Sequence, residues 1–355
     1  MSFGELSYGE KAELAERYEL GGIDAIRGDA HSLGIRPESL RRMLNQLLIA
    51  RDIWAYAGAI APIEEEKGTD DWEKLCHVIG RPPNAAVPAG TKPAAGRARV
   101  CVIADMHGNP DFDGLQTMLG RESPDLVVIA GDTLDHYLYS TWPKDRLTLP
   151  NEELAAVTVA IEMLAVSAQV KIIYGNHDVR RERHFARLLK AHEMDELKDP
   201  PLQVIADAMP QVELVRNEYD YVTPTGRIFA KQLHDTFMCF LGDAVIAHPE
   251  RSRKAATTSA ESFLKDFYEQ WQHVLGLPAN PALVAIGHTH GAAISWSKGG
   301  HQVIAELGTM MRPSAVQYVL SNRARAACRP PAHGYLAFYL DNGLVDIPSV
   351  GFHVV

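Results

Sequence analysis

The sequence predicts an α/β fold, a layered sandwich of strands and helices with a small all-α module at its N-terminus. Three observations predict it. Short apolar runs at residues 100–104, 126–130, 170–174 and 283–286 have the length and composition of buried strands, and helical patterns at 113–119, 152–167 and 180–192 alternate with the early ones. Strand-like runs then crowd together at 212–215, 227–231, 244–248, 292–296, 302–306, 315–320 and 335–340, with one long helical pattern at 259–274. The first sixty residues show helical periodicity three times instead, at 8–18, 23–33 and 37–51.

In the N-terminal module Gly34 marks the break before the third helix and Pro37 suits a first helical turn. Leu40, Leu44 and Leu47 then face inward, and Arg41, Arg42 and Asn45 face out. The segment AHSLGIRPESLRRMLNQL resembles the turn and recognition helix of DNA-binding helix-turn-helix domains. That resemblance implies nucleic-acid contacts by Arg41, Arg42 and Asn45, to phosphates or base edges. Residues 1–60 hold seven Lys or Arg against nine Asp or Glu, which weighs against DNA, whereas four arginines face only Glu38 within 34–51, which weighs for it. DNA contact and a helical packing or oligomerisation module therefore stand as alternatives, and nothing supports base-specific recognition.

An acidic stretch and a joint follow. Residues 81–98, RPPNAAVPAGTKPAAGRA, contain four prolines and many small residues and read as a semi-extended linker. The expected organisation is a helical module over 1–60, an acidic segment and linker over 61–98, and a catalytic domain over 99–355 with a specificity insertion around 180–240.

Polar clusters stand where the strands end: Asp105-Met106-His107, Gly131-Asp132, Gly175-Asn176-His177-Asp178 and Gly287-His288-Thr289-His290, with His248 after the apolar run 244–247. Carboxylate can bridge two cations, imidazole fills lateral positions, and the Asn176 amide oxygen completes a coordination sphere without added charge. Asp105, His107, Asp132, Asn176, His248, His288 and His290 are enough ligands for two divalent ions sharing one carboxylate. Two such ions roughly 3.5–4 Å apart clamp both oxygens of an in-line phosphoryl displacement and acidify a bound water.

The ordered pattern D-x-H, GD-x-x-D, GNHD, a lone His and GH-x-H resembles that of the calcineurin-like metallophosphoesterases, over roughly residues 98–347. The resemblance implies a four-layer α/β sandwich, two packed mixed sheets flanked by helices, with the metals at one end. It further implies that Asp105, His107 and His290 hold one metal, that Asn176, His248 and His288 hold the other, and that Asp132 bridges them. His177 would face the scissile phosphate as a general acid or charge stabiliser, with Asp178 orienting it. Asp135 matches the second acidic position of GD-x-x-D, and the turn 306–309 looks like the family's closing strand and turn.

The implied reaction is hydrolysis of a phosphate ester by a metal-bound hydroxide. The metals are expected to be Mn²⁺, with Fe, Zn, Co or Ni also compatible with a mixed nitrogen and oxygen sphere. Arg180, Arg181 and Arg183 follow GNHD, and Arg180, nearest the site, is the one placed to bind substrate phosphate. Protein phosphatases of the wider superfamily carry GD-x-x-DRG and GNHE, and the GDTLDHY and GNHD of this chain argue against that branch. A phosphodiesterase acting on nucleic acid or nucleotides is the leading expectation. A phosphomonoesterase of small metabolites is its rival, and a DNA-binding regulator with a structural or inactive metal site is the reading from another class. Five other histidines, His136, His184, His192, His234 and His301, read as surface or supporting residues.

The 355 residues, 46% hydrophobic and 23% charged, suffice for one large domain and a small accessory one. Four scattered cysteines without a C-x-x-C suggest neither a disulfide framework nor a thiolate zinc site. The net charge of −10 disfavours wholesale attraction to nucleic acid, although bound cations would reverse the sign locally at Asp105 and Asp132. The N-terminus lacks the basic-then-apolar order of a secretory signal and no run of about 18 apolar residues occurs, so a cytoplasmic protein without membrane contact is expected.

Overall fold

The computed structural model describes residues 14, 17–18, 22–37, 40, 96–140, 150–188, 200–215, 236–250, 253, 255–269, 280–315 and 330–355. The chain forms two compact units, residues 1–83 with 182–199, and residues 84–181 with 200–355.

In the first unit, helix α1 (Arg27–Ser32) ends in a turn where Gly34 takes a φ of 66° and the Ile35 N–H donates to the Ala30 carbonyl at 3.0 Å. Leu14, Ile26, Ala30 and Leu40 are buried together, with Tyr18, Leu33 and Ile35 against them. Leu40 thus faces inward as its spacing suggested. Arg17 and Arg27 are paired with Asp29 at 3.1 Å and Asp24 at 2.6 Å. Arg41, Arg42, Asn45, Leu44, Leu47 and the linker up to residue 95 lie outside the described residues.

The second unit is the expected four-layer sandwich. One sheet has the order β11-β10-β1-β2-β3-β4, from β1 (Arg97–Ile103), β2 (Leu126–Ala130), β3 (Gln169–Ile173), β4 (Val212–Leu214), β10 (Gly334–Asp341) and β11 (Leu344–Val354). The other has the order β5-β6-β7-β9-β8, from β5 (Thr236–Leu241), β6 (Ala244–Pro249), β7 (Leu283–Ile286), β8 (Ala293–Trp296) and β9 (Val303–Glu306). Both are mixed: β1 to β4 run parallel, as do β6, β7 and β9, whereas β10 and β11 in the first sheet and β5 and β8 in the second pair antiparallel with their neighbours. Every residue of β2 is buried, the signature of a parallel strand covered on both faces.

Alternation along the strands separates the layers. Val100, Val102, Val128, Ile246, Ala285, Ala305 and Phe338 form the core between the sheets. Val245, Ala247, Val284, Ile286 and Ile304 point the other way, beneath Ala260, Phe263, Leu264 and Tyr268. Those four belong to α6 (Thr258–Ser262) and to the wider π-helical turn Phe263–Tyr268 that extends it, in place of the uniform helix expected there. On the first sheet's outer face lie α2 (Phe112–Glu122) and α3 (Pro150–Ser167), which bury Leu115, Met118, Val157, Ile161 and Leu164. Helix α4 (Arg180–Leu188) begins just after GNHD.

One expectation needs correction, and two elements were not foreseen. The strand expected at 315–320 begins in a helical turn, where the Ala315 N–H donates to the Arg312 carbonyl at 2.9 Å; residues 316–320 lie outside the described residues. Helix α5 (Pro201–Ala208) was not anticipated, although Pro201 suits its first turn. Nor was β11, which tolerates Pro348 and Gly351 because it lies at a sheet edge. Its hairpin turns on Asn342 and Gly343, both with positive φ.

Glu122 fastens α2 to the sheet. Its carboxylate accepts hydrogen bonds from Arg99, at 3.0 Å from Nε, and from the Tyr335 hydroxyl at 2.8 Å, and its side chain is only 7% exposed. Burial opposes its charge, but Arg99 and Tyr335 outweigh burial and hold the carboxyl below its usual range. Glu122→Gln is expected to destabilise the protein by about 1.5–3 kcal/mol at neutral pH. Because the folded value is depressed, this contribution is present above the ordinary carboxylate value of about 4.3 and fades as pH falls through the folded one. Urea midpoints at pH 7 and pH 4 check this: the gap between variant and wild type should shrink at the lower pH, and equal midpoints at pH 7 would refute it.

Candidate metal centre

The polar clusters converge where parallel strands end, the place at which α/β sheets receive ligands. β1 runs into Asp105 and His107, β2 into Asp132, β3 into Asn176 and His177, and β7 into His288 and His290, while His248 lies within β6 itself. Backbone hydrogen bonds tie the loops together: Asp105 N–H to the Gly131 carbonyl at 3.1 Å, His107 N–H to the Asp132 carbonyl at 2.8 Å, and Gly287 N–H to the Ala247 carbonyl at 2.9 Å. The Thr309 hydroxyl, in the closing turn, donates to the Asp105 carbonyl at 2.6 Å. Gly131 has a φ of 78°, and a side chain there would overlap the His248 ring.

The backbone at the site is strained. Asp105, His107, Asp132, His288 and His290 all have φ between 47° and 75°, a conformation costing non-glycine residues on the order of 1–3 kcal/mol each. Residues that merely capped strands would need no such geometry. The strain fits side chains aimed at a common point.

Each acidic side chain has one oxygen fixed by an amide. His177 N–H donates to Asp132 Oδ1 at 2.8 Å, and His288 N–H to Asp105 Oδ2 at 3.0 Å. The second oxygens, Asp105 Oδ1 and Asp132 Oδ2, are buried without a hydrogen-bond partner among the described residues, as are Asn176 Oδ1 and His248 Nε2. Asp105 Oδ1 lies 3.3 Å from His290 Nε2 and 3.7 Å from His107 Nε2. Asp132 Oδ2 lies 3.2 Å from His248 Nε2 and 3.8 Å from His107 Nε2, so it faces both sets of rings. His248 Nδ1 donates to the Ala130 carbonyl at 2.7 Å, so Nε2 is the nitrogen that faces the site and would give its lone pair to a cation once its proton is expelled.

These atoms fit cations. Leaving several buried lone pairs without a donor is expensive, and a positive ion answers all of them at once. His107 Nε2 and His290 Nε2 are 3.0 Å apart, the spacing of two imidazoles at about 2.0–2.1 Å from one ion at a near-right angle. Two sets close enough to hold an ion are Asp105, His107 and His290, and Asp132, His248 and His288. A third set, His107, Asp135 and His177, already contains a cation, because Arg180 Nη1 lies 2.7 Å from Asp135 Oδ1.

The electrostatics are those of buried charges crowded together. Burial alone would raise the carboxyls of Asp105 and Asp132; the imidazoles, His290 and His107 at the first and His177 and His248 at the second, hold both well below the usual range. Burial would lower His107 and His248, yet the facing carboxylates push them up to about 10 and about 9. His288 is pushed down to about 3 by burial and by His248.

His177 has a different orienting group from the one expected. Asp178 does not reach the ring; its carboxylate accepts the N–H groups of Gly175 and Leu134, both at 2.7 Å, and of Thr133 at 3.3 Å, and so staples two ligand loops together. Asp135 takes the expected place, with Oδ1 2.6 Å from His177 Nδ1. Glu153 in turn fixes Asp135: its carboxylate accepts the Asp135 N–H and, at 2.7 Å, the His136 N–H. The GD-x-x-D spacing was the available signal for Asp135, whereas Glu153 reaches in from the middle of a helical pattern that reads as structural. Arg180 Nη1 also donates to the Asp135 carbonyl at 3.0 Å, and Nη2 lies 2.6 Å from His177 Nε2. His136 is buried rather than on the surface, while His301 is exposed and His192 and His234 lie outside the described residues.

Two mixed sheets with acidic, imidazole and amide side chains converging at their strand ends, in clusters able to hold metal ions, are the frame of a metal-dependent hydrolase. Residues 98–315 match the family model of the calcineurin-like phosphoesterases, and the chain belongs to that family. It is a metal-dependent phosphoesterase acting on phosphate esters, with side-chain clusters able to hold the divalent ions the family implies. Among solved structures it is similar to a metallophosphoesterase from Sphaerobacter thermophilus, at 15% identity over 72% of this chain and 88% of that one, with a TM-score of 0.34. It is also similar to an archaeal phosphodiesterase, at 11% identity over 72% and 99% with a TM-score of 0.33. A further similar structure is a predicted phosphoesterase from Streptococcus pneumoniae TIGR4, at 13% identity over 74% and 100% with a TM-score of 0.27. No curated protein matches the chain. Among the described residues no helix is long and apolar enough to cross a membrane.

Proposed function

We propose that the chain is a dinuclear phosphodiesterase whose substrates are nucleic acids or nucleotides. The observation carrying this reading is the charge balance beside His177: the cation brought there, Arg180, is already paired with Asp135 at 2.7 Å. A diester, with one negative charge, needs less compensation than the dianion of a monoester. A helix-turn-helix-like segment fused to the catalyst would suit a polymeric substrate.

In this reading Asp105, His107 and His290 would hold one ion, Asn176, His248 and His288 would hold the other, and Asp132 would serve both, with Mn²⁺ the proposed occupant. When bound, the ions supply Lewis-acid polarisation of the phosphoryl group and acidify a water. The protein contributes the rest. Asp178 and the backbone bonds fix the loops that present the ligands, and Asp135 fixes the His177 ring on the substrate side. Arg180 offers donors to the phosphoryl oxygens.

The test is hydrolysis of bis-p-nitrophenyl phosphate against p-nitrophenyl phosphate by Mn²⁺-loaded protein, with Asp132→Asn as the blank for contaminating activity. Faster diester cleavage, followed by cleavage of DNA or RNA, is the expected result. Faster monoester cleavage would move the substrate to small phosphorylated metabolites. No turnover on either, together with DNA binding by the full chain, would favour a regulator.

A further inference from the structure

Four consecutive N–H groups in the loop after β2 are received by two buried carboxylates. Asp178 accepts those of Thr133, at 3.3 Å, and Leu134, at 2.7 Å; Glu153 accepts the next two, of Asp135 and, at 2.7 Å, of His136. A single oxygen, Glu153 Oε1, takes both. Asp178 belongs to the GNHD loop, but Glu153 comes from the first turn of α3. Its neighbour Glu152 is exposed, whereas Glu153 is only 4% exposed and pairs with no Lys or Arg among the described residues. Glutamate is almost never so buried without a cationic partner. The loop after β1 also makes room for it: Gly108 has a φ of 65°, and a Cβ there would overlap the Glu153 side chain.

The turn that Glu153 holds is strained, with His136 at a φ of 47°. Such a turn persists only where its surroundings over-determine it. Asp135, at the same turn, gathers the two side chains assigned to the substrate: its Oδ1 lies 2.6 Å from His177 Nδ1 and 2.7 Å from Arg180 Nη1, and its carbonyl accepts Arg180 Nη1 at 3.0 Å. Resting on the phosphoesterase reading, we propose that Glu153 is a positioning residue for the hydrolysis, which sets where His177 and Arg180 stand by holding the backbone of Asp135 and His136. It hydrogen-bonds none of the proposed metal ligands, and its effect passes through Asp135. What it must supply is one acceptor oxygen at the right reach.

The test compares wild type, Glu153→Ala, Glu153→Asp, Glu153→Gln, Asp135→Ala and the Glu153→Ala/Asp135→Ala double variant, all Mn²⁺-loaded and checked for metal content, on bis-p-nitrophenyl phosphate and p-nitrophenyl phosphate. Glu153→Ala should lose about 10²-fold in kcat with its metal content unchanged, the loss expected from a misplacement of about 1 Å at the reacting groups. Glu153→Gln should recover most of that loss, because its amide oxygen can accept both N–H groups. Glu153→Asp keeps the charge but is one methylene short, so it should resemble Glu153→Ala; it also guards against a folding defect in the alanine variant. In hydrogen exchange, peptides spanning Asp135 and His136 should lose protection in the Ala and Asp variants and keep it in the Gln variant. The double variant should be no slower than the slower of its two parents, since both act along one route. Losses that multiply in the double variant, or an active Glu153→Asp beside an impaired Glu153→Gln, would overturn the proposal. Lower thermal stability of Glu153→Ala with an unchanged kcat would overturn it too, leaving Glu153 a purely structural group. Absence of wild-type turnover on either ester would remove the phosphoesterase reading and the proposal with it.

Discussion

Asp132→Asn is expected to lower turnover by at least about 10³-fold while leaving the protein folded, since metal ions supply several kcal/mol of transition-state stabilisation and each 1.4 kcal/mol is roughly tenfold. The substitution is nearly isosteric. An amide oxygen can keep the hydrogen bond that Oδ1 accepts from the His177 N–H at 2.8 Å, so the loop between β2 and β3 retains its tie. What changes is the other atom. Oδ2 is buried, without a hydrogen-bond partner among the described residues, and faces His248 at 3.2 Å and His107 at 3.8 Å; an NH₂ group there aims donors at the place where a cation would sit and removes the negative charge that the proposed bridging role requires. Metal content per chain should fall with turnover, while circular dichroism stays that of the wild type. A variant that retained two ions and near-normal turnover would remove Asp132 from the centre.

The sequence revealed the ligand clusters because each follows a strand that its apolar run already marks. Asp105, Asp132 and Asn176 come two or three residues after the ends of β1, β2 and β3, and the strand ends alone bring them to one edge. His248 was legible only by position, and the structure explains its lesser signal: it is still within β6, with Nδ1 held by a carbonyl of β2. The choice between Asp178 and Asp135 was not legible. Adjacency to His177 favours Asp178, but adjacent side chains in a tight loop diverge, and the Asp178 carboxylate turns back to three amides while Asp135 crosses from the neighbouring strand end. Glu153 is less legible still, because its partners are backbone amides near Asp135, set by how α3 packs rather than by a local pattern. In β11, Pro348 and Gly351 suppress a strand signal that edge placement makes permissible.

Metal removal is the broadest expected effect. Chelation should abolish turnover and lower Tm by roughly 10–20 °C, since two sites each filled at 100 times Kd contribute about 2.7 kcal/mol apiece, and about 1 kcal/mol moves Tm by 2–4 °C in a domain of this size. The gap should depend on pH with a definite sign. Without metal, burial disfavours charged rings, but Asp105, Asp135 and Asp132 push His107 up to about 10, and Asp132 pushes His248 up to about 9. Folded values raised above the unfolded value of about 6.5 give stability that is fully present below 6.5 and lost as pH rises through the folded values. Metal binding requires the same rings neutral and expels their protons, so affinity rises with pH over that window. The metal-free protein therefore weakens while the loaded protein strengthens, and the difference in Tm between them should widen from pH 6.5 to pH 9. Thermal melts with and without EDTA across that range read the widening directly. Titration calorimetry in two buffers of different ionisation enthalpy reads the proton release. A gap that is flat or narrows with pH, or metal binding without proton release, would mean that His107 and His248 are not ligands.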